Sequence, residues 1–206
     1  MRSQEMTGRR YQILQVATRL TERVKEGLPK NILYLENADG RGLLYADPEE
    51  LYGALPELDY FGVRGAVLPD YVLAALVVDC TSLGFAVTDI EFADSRVLIK
   101  SLIKELINSE RRGELRACLG EARTPITAIV LACEEFEVKL YGSGLVTVRG
   151  PKEEFEYRIQ DILSRLTDYL LTALKKVDSN KESGESVPRR SAKVPGIVMA
   201  AQKLIS

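Results

Sequence analysis

The chain has 206 residues, of which 46% are hydrophobic and 28% are charged, and its formal net charge at pH 7 is −2. This balance is typical of an ordinary globular protein with one sizeable core. The chain contains no histidine, which excludes Ser-His-Asp and Cys-His catalytic systems and His-ligated metal sites within it. Its longest strongly apolar run, near residues 72–78, is far shorter than the roughly 20 residues of a membrane helix, so we expect no membrane partner.

The three cysteines, Cys80, Cys118 and Cys133, lie far apart in the sequence and among apolar neighbours. They form no CxxC pair, and free cysteines in such surroundings usually behave as small buried hydrophobes. We therefore predict reduced, buried thiols, no cofactor and a cytoplasmic location.

The N-terminal part, residues 1–67, is predicted to be a unit made of a helix and a hairpin. Apolar residues recur at helical spacing over residues 9–26, which predicts an amphipathic helix. Two short apolar runs then flank an Asp-Gly turn at Gly40, a strong hairpin signal. Asp47 followed by Pro48 has the pattern of an N-cap and a first helical residue, and predicts a second short helix.

The next part, residues 68–177, is predicted to be an α+β core domain. Residues 70–83 are apolar nearly all round, which is typical of a buried helix. A strand is predicted at residues 85–92, followed by a helix that Gly113 ends. Residues 115–119 are predicted to form a further short strand.

Three more strands and a long helix complete this domain. Residues 126–133 form a continuous apolar run fit for a central strand, and residues 136–140 and 145–149 alternate as half-buried strands do. A long amphipathic helix is predicted over residues 151–176. The order over residues 85–176 is then β-α-β-β-β-β-α, and the predicted fold class is α+β, an antiparallel sheet with flanking helices.

Residues 140–150 read Leu-Tyr-Gly-Ser-Gly-Leu-Val-Thr-Val-Arg-Gly and are followed by Glu153-Glu154 and the long helix. With this apolar strand, tight turn, alternating strand and acidic helix start, residues 85–176 resemble one repeat of the TATA-binding protein. The resemblance implies a saddle-shaped sheet that binds DNA and bends it with Phe wedges beside basic residues. The chain departs from that pattern because its corresponding stretch carries acidic residues, which oppose phosphate binding: Glu134, Glu135 and Glu137.

The sequence Glu137-Val138-Lys139 matches the E-x-K end of a nuclease-type metal site. On a strand, Glu137 and Lys139 share a face, where a carboxylate beside a lysine can hold Mg²⁺ and orient water. Asp89, on an earlier strand, is the candidate acidic partner. A metal-dependent nuclease or phosphodiesterase is therefore an alternative hypothesis, and a solvated strand face is the competing interpretation.

The C-terminal part consists of a polar stretch followed by an apolar one. Residues 178–194 are polar and free of aromatics, which predicts a flexible linker. Residues 195–206 are apolar again and predict a docking segment. The candidate binding residues are two arginines in the linker and four aliphatic residues at helix-like spacing beyond it: Arg189, Arg190, Ile197, Val198, Leu204 and Ile205.

Together these features favour a protein without enzymatic activity that binds or assembles through protein–protein contacts. Its expected partner is another protein or a second copy of the chain, bound through the C-terminal segment. A metal-dependent nuclease is the alternative, and a nucleic-acid-binding saddle is a further alternative that the net charge of −2 does not favour.

Overall fold

The computed structural model describes residues 5–29, 32–51, 61–94, 97–109, 111–121 and 124–182. Eight strands in these residues form one sheet, and every pair of neighbouring strands runs antiparallel. The predicted α+β class, an antiparallel sheet with flanking helices, is confirmed. The chain divides into a compact unit over residues 1–174 and a second unit over residues 175–206.

The N-terminal elements are mostly strands. In chain order they are β1 (Met6–Val16), α1 (Glu22–Gly27), β2 (Leu33–Glu36), β3 (Gly42–Ala46) and β4 (Val63–Gly65). The predicted hairpin is confirmed as β2 and β3, which pair in antiparallel register. Residues 48–51 are helical, and the Asp47 carboxylate accepts a hydrogen bond from the Glu49 amide, as expected of an N-cap.

The remaining elements are four helices, one strand between the first two of them and a run of three strands before the last. In chain order they are α2 (Asp70–Asp79) with a 3-10 turn (Cys80–Leu83), β5 (Ala86–Phe92), α3 (Val97–Asn108), α4 (Arg112–Glu121), β6 (Ile126–Cys133), β7 (Phe136–Tyr141), β8 (Leu145–Pro151) and α5 (Phe155–Glu182). The predicted buried helix over residues 70–83 is confirmed as α2 and its turn, which ends at Gly84 in the left-handed conformation.

The predicted helix over residues 9–26 is wrong in its first half, because residues 9–16 belong to β1. β1 lies between β3 and β8, and both of its faces are covered at Ile13 and Leu14. A strand buried on both faces carries consecutive apolar residues, and such a run also fits helical spacing. Only the end of the predicted helix survives, as α1.

The predicted strand at residues 115–119 is also wrong, because these residues lie in α4. Leu115, Cys118 and Leu119 are its buried residues, and their spacing of three and four is that of a helix face. Gly113 lies in the first turn of α4 and does not end the preceding helix. The observed order over residues 86–182 is therefore β-α-α-β-β-β-α.

The sheet has the strand order β2-β3-β1-β8-β7-β6-β5, with β4 paired to β1. β1 pairs with β8 through residues 6–12 and with β3 through residues 12–15. Strands from residues 1–67 and strands from residues 68–177 thus share one sheet. The division into two domains at this boundary stays a prediction.

One face of the sheet, called here the inner face, carries the main core. α5 presents one apolar stripe and contacts three strands. The Phe155 ring lies 6.1 Å from that of Phe136 in β7. Thr167 forms a hydrogen bond of 2.8 Å with the Tyr45 hydroxyl in β3, and Arg165 contacts Cys133 in β6. The stripe consists of Phe155, Ile159, Ile162, Leu163, Leu166 and Leu170. α2 contacts β6.

A second, smaller core includes side chains from the opposite side of β1 and β3. Its buried residues are Leu14, Leu20, Ile32, Leu44 and Ala46, and Val24 of α1 packs against them. Together with the main core on the inner face, this second core accounts for the burial of β1 on both sides.

α5 continues to Glu182, into the segment predicted as a linker over residues 178–194. Residues 183–206 lie outside the described residues, and with them the docking segment and its candidate residues: Arg189, Arg190, Ile197, Val198, Leu204 and Ile205. No helix in the described part of the chain combines the length and the apolar character needed to cross a membrane.

Candidate functional surface

The side of the sheet opposite the inner face carries polar side chains where β1, β8 and β7 lie together. In β7, Phe136, Val138 and Leu140 are buried, whereas the alternate residues point to the other side. In β8, Val146 and Val148 are buried in the same way. We call the residues opposite this core the outer face, namely Arg10, Glu137, Lys139, Tyr141, Thr147 and Arg149.

The register of the strands sets the neighbours on the outer face. Glu137 lies opposite Arg149, and Lys139 lies opposite Thr147. Thr147 in turn lies opposite Arg10 of β1. Directly opposed residues in antiparallel strands have Cβ atoms about 4.5–5.5 Å apart, so these side chains form two adjacent polar rows.

Lys139 is held in place by residues on two strands. Its Nζ lies 2.8 Å from Oε1 of Glu91 in β5 and 4.8 Å from the ring centroid of Tyr141. Glu91 is in register with Ala128, whose short side chain leaves room for Lys139 to reach across β6. The hydrogen bond to Glu91 raises the pKa of Lys139, which stays charged at neutral pH.

Asp89 is bound by lysines of α3. Its Oδ1 lies 3.0 Å from Nζ of Lys100 and 3.3 Å from Nζ of Lys104. Partial burial of Asp89 would raise its pKa, but hydrogen bonds from the two lysines outweigh this and lower the pKa below its ordinary value. Asp89 therefore links β5 to α3.

The structure does not gather the three residues of the predicted metal site. Lys139 pairs with Glu91, and Asp89 pairs with α3. β5 and β7 are separated by β6, so Asp89 and Glu137 lie on strands about 9–10 Å apart. Among the described residues, no group of three or more acidic or cysteine side chains is placed to hold a metal ion.

The side chain of Arg149 lies beside Gly8 of β1. Gly8 lies opposite Arg149, and a Cβ at Gly8 would come within 3.2 Å of Cγ of Arg149. The aliphatic part of Arg149 thus uses the space that the glycine leaves. In the described part of the chain, neither Arg149 nor Glu137 has an ion-pair partner within 4.0 Å, although both are exposed.

The predicted burial of the three cysteines is confirmed, and none of the three forms a disulfide. Burial raises the pKa of the Cys80 thiol, which disfavours the reactive thiolate. Cys133 accepts a contact from Nη2 of Arg165 at 3.4 Å and is also buried. These thiols serve as core residues.

The alternating pattern correctly predicts that Glu137 and Lys139 share a face. It does not predict that four further residues lie beside them on the outer face: Arg10, Tyr141, Thr147 and Arg149. Arg10 was assigned to a helix, so its place beside Thr147 was not foreseen. Thr147 and Arg149 were recognised as part of an alternating strand, and this alternation was the signal that they share a side of the sheet. Gly8 had no sequence signal, because its effect depends on the β1–β8 register.

Replacing Asp89 by asparagine is expected to weaken the acid dependence of stability. A carboxylate whose pKa is lowered in the folded state stabilises the fold above its unfolded pKa, and this contribution disappears as the pH falls through the folded pKa. Urea unfolding of the unchanged chain and of Asp89→Asn is measured between pH 2 and pH 7. As the pH falls over the acid range, Asp89→Asn should lose less unfolding free energy than the unchanged chain. Glu153→Gln, an exposed change elsewhere, is the control, and an equal pH dependence in Asp89→Asn would contradict the pairing with α3.

Comparison with family models, with curated proteins and with solved structures finds no match to this chain.

Proposed function

We propose that the chain is an assembly protein without enzymatic activity that acts through protein–protein contacts. The outer face is the observation that supports this proposal. Its side chains stand on neighbouring strands whose other side is packed against the main core. The backbone that carries them is fixed in this way and loses little further freedom on binding, which favours association.

The charges of the outer face favour a protein partner over a nucleic acid. Arg10 and Arg149 are accompanied by exposed Glu137, and Lys139 is already paired with Glu91. Phosphate binding requires concentrated positive charge, whereas protein interfaces combine both signs. The saddle implied by the resemblance to the TATA-binding protein stays a prediction, and a mobility shift with duplex DNA at low salt tests it.

A cytosolic location belongs to the same proposal. Buried thiols that form no disulfide suit a reducing compartment, in which disulfides do not persist.

Sedimentation measurements on the full chain test the proposal. At micromolar concentrations the full chain is expected to exceed the 22.9 kDa of a monomer. A chain ending at Glu182 is expected to associate more weakly, because it lacks the predicted docking segment. Circular dichroism would show that the shortened chain keeps its fold. A full chain that stays monomeric at all concentrations would contradict assembly.

An assay for cleavage separates this proposal from the nuclease hypothesis. The purified chain is incubated with single- and double-stranded nucleic acid and Mg²⁺ or Mn²⁺. We expect no cleavage above that of a matched Glu137→Ala sample. Metal-dependent cleavage that Glu137→Ala abolishes would overturn the proposal in favour of the enzyme.

A further inference from the structure

We infer that the outer face is the interface between two copies of this chain, related by a two-fold axis that runs along the strands between β7 and β8. This inference rests on the proposed assembly function and names its partner, a second copy. The supporting observation is a row of four residues across neighbouring strands: Gly8, Arg149, Glu137 and Ala132.

The row is complementary to itself. Read from β1 to β6, it runs small, positive, negative, small, with each residue in register with the next. A two-fold axis between β7 and β8 turns one copy so that its β7 faces the partner's β8. Arg149 then faces the partner subunit's Glu137, Glu137 faces the partner subunit's Arg149, and glycine faces alanine at both ends, as an isologous interface requires.

The two charges of this row are available for a partner. Arg149 and Glu137 are direct cross-strand neighbours, but the stem of Arg149 lies over Gly8 and no ion pair joins them within the chain. Sheets that pack face to face lie about 10 Å apart, a distance that an arginine and a glutamate from opposite copies span together. The same unpaired charges therefore form two ion pairs in the dimer.

The neighbouring row fits the same axis. Lys139 in β7 would lie opposite Thr147 of the partner subunit, although its ammonium group stays paired with Glu91. Arg10 would lie opposite β6 of the partner subunit, at the position of Val130, a residue that is buried within the chain. This row brings no like charges together across the axis. An acidic partner protein would instead be repelled by Glu137, and a basic one would be repelled by Arg10 and Arg149.

Charge-swap variants of the full chain test the interface by sedimentation velocity over a range of concentrations. Glu137→Arg and Arg149→Glu each place like charges opposite one another twice, and each is expected to weaken dimerisation by about tenfold or more. The double variant Glu137→Arg/Arg149→Glu restores opposite charges and is expected to recover most of the association. Raising the salt concentration should weaken the dimer of the unchanged chain.

Glu153→Arg and Arg23→Glu are the matched controls, since they make the same charge changes at exposed positions outside the outer face. Circular dichroism of every variant shows whether the fold is kept. A dimer that both single variants leave unchanged, or a double variant no better than the singles, would overturn the interface while leaving assembly in place. A chain that never dimerises would instead contradict the proposed function itself.

Discussion

Replacing Gly144 by alanine is expected to lower the free energy of unfolding by about 2–5 kcal/mol. Gly144 has φ of 78°, in the left-handed region that residues with a Cβ adopt only at a cost. An ideal Cβ there would lie 2.0 Å from the carbonyl oxygen of Ala66. Because that obstacle is backbone, no change of side-chain rotamer relieves it.

The surroundings of the turn explain why the backbone cannot simply move. The Gly144 carbonyl accepts a hydrogen bond from Ile13 N, and Ile13 O accepts one from Ala66 N. Leu68 N donates to Gly142 O in the same turn. The β7–β8 turn is thus tied to β1 and to the segment that leads into α2, and a shift at Gly144 breaks several of these bonds together.

Urea unfolding followed by circular dichroism measures this effect, with Gly65→Ala as the matched control. Gly65 lies next to Ala66, but a Cβ there would meet no atom within 4 Å and its φ is not positive. The control should therefore change the unfolding free energy by less than about 1 kcal/mol. Similar unfolding midpoints for the two alanine variants would contradict the described turn.

Elements with a local signal were predictable from the sequence. The hairpin of β2 and β3 was marked by an Asp-Gly turn, and β7 and β8 by strict alternation around glycines. α5 was marked by a long apolar stripe, although it begins at Phe155 and not at residue 151. In each case the tertiary contacts bury the same side of the element that its own sequence pattern makes apolar.

β1 was not predictable in this way, because its partners are distant in the sequence. Arg10 pairs with Thr147, and Ile13 pairs with Tyr45. Two neighbouring strands and two cores bury Ile13 and Leu14 on opposite sides, and this erases the alternation that would identify a strand. Tertiary context decided between helix and strand.

The candidate surface shows the same limit. The sequence places Glu137 and Lys139 on one side of a strand, but it does not give the register that brings Glu91 to Lys139. Register shifts in β5 on either side of Asp89 and Glu91, and the packing of α3, decide which carboxylate meets which lysine. Glu137 and Lys139 thus lie on one side of β7, as the E-x-K pattern predicts, and Lys139 pairs with Glu91. The metal-dependent activity stays a prediction.

Replacing Phe136 by alanine is expected to lower the free energy of unfolding by about 3–5 kcal/mol. The Phe136 side chain is buried, and its ring centroid lies 6.1 Å from that of Phe155, at the start of α5. Truncation removes this contact between sheet and helix and leaves a cavity that β7 and β8, fixed by their register, cannot close. Tyr157→Ala is the control, since Tyr157 is 66% exposed and its loss should change stability by less than about 0.5 kcal/mol.

A double-mutant cycle with Gly150 makes this expectation specific to the contact. A Cβ at Gly150 would lie 2.2 Å from Cδ1 of Phe136, so Gly150→Ala should cost about 1–3 kcal/mol in the unchanged chain. In the Phe136→Ala background the obstructing ring is absent, and the added methyl group occupies part of the cavity. Gly150→Ala should then cost much less or become stabilising. Urea unfolding of the four proteins measures the coupling, and additive effects of the two changes would show that Phe136 does not lie on Gly150.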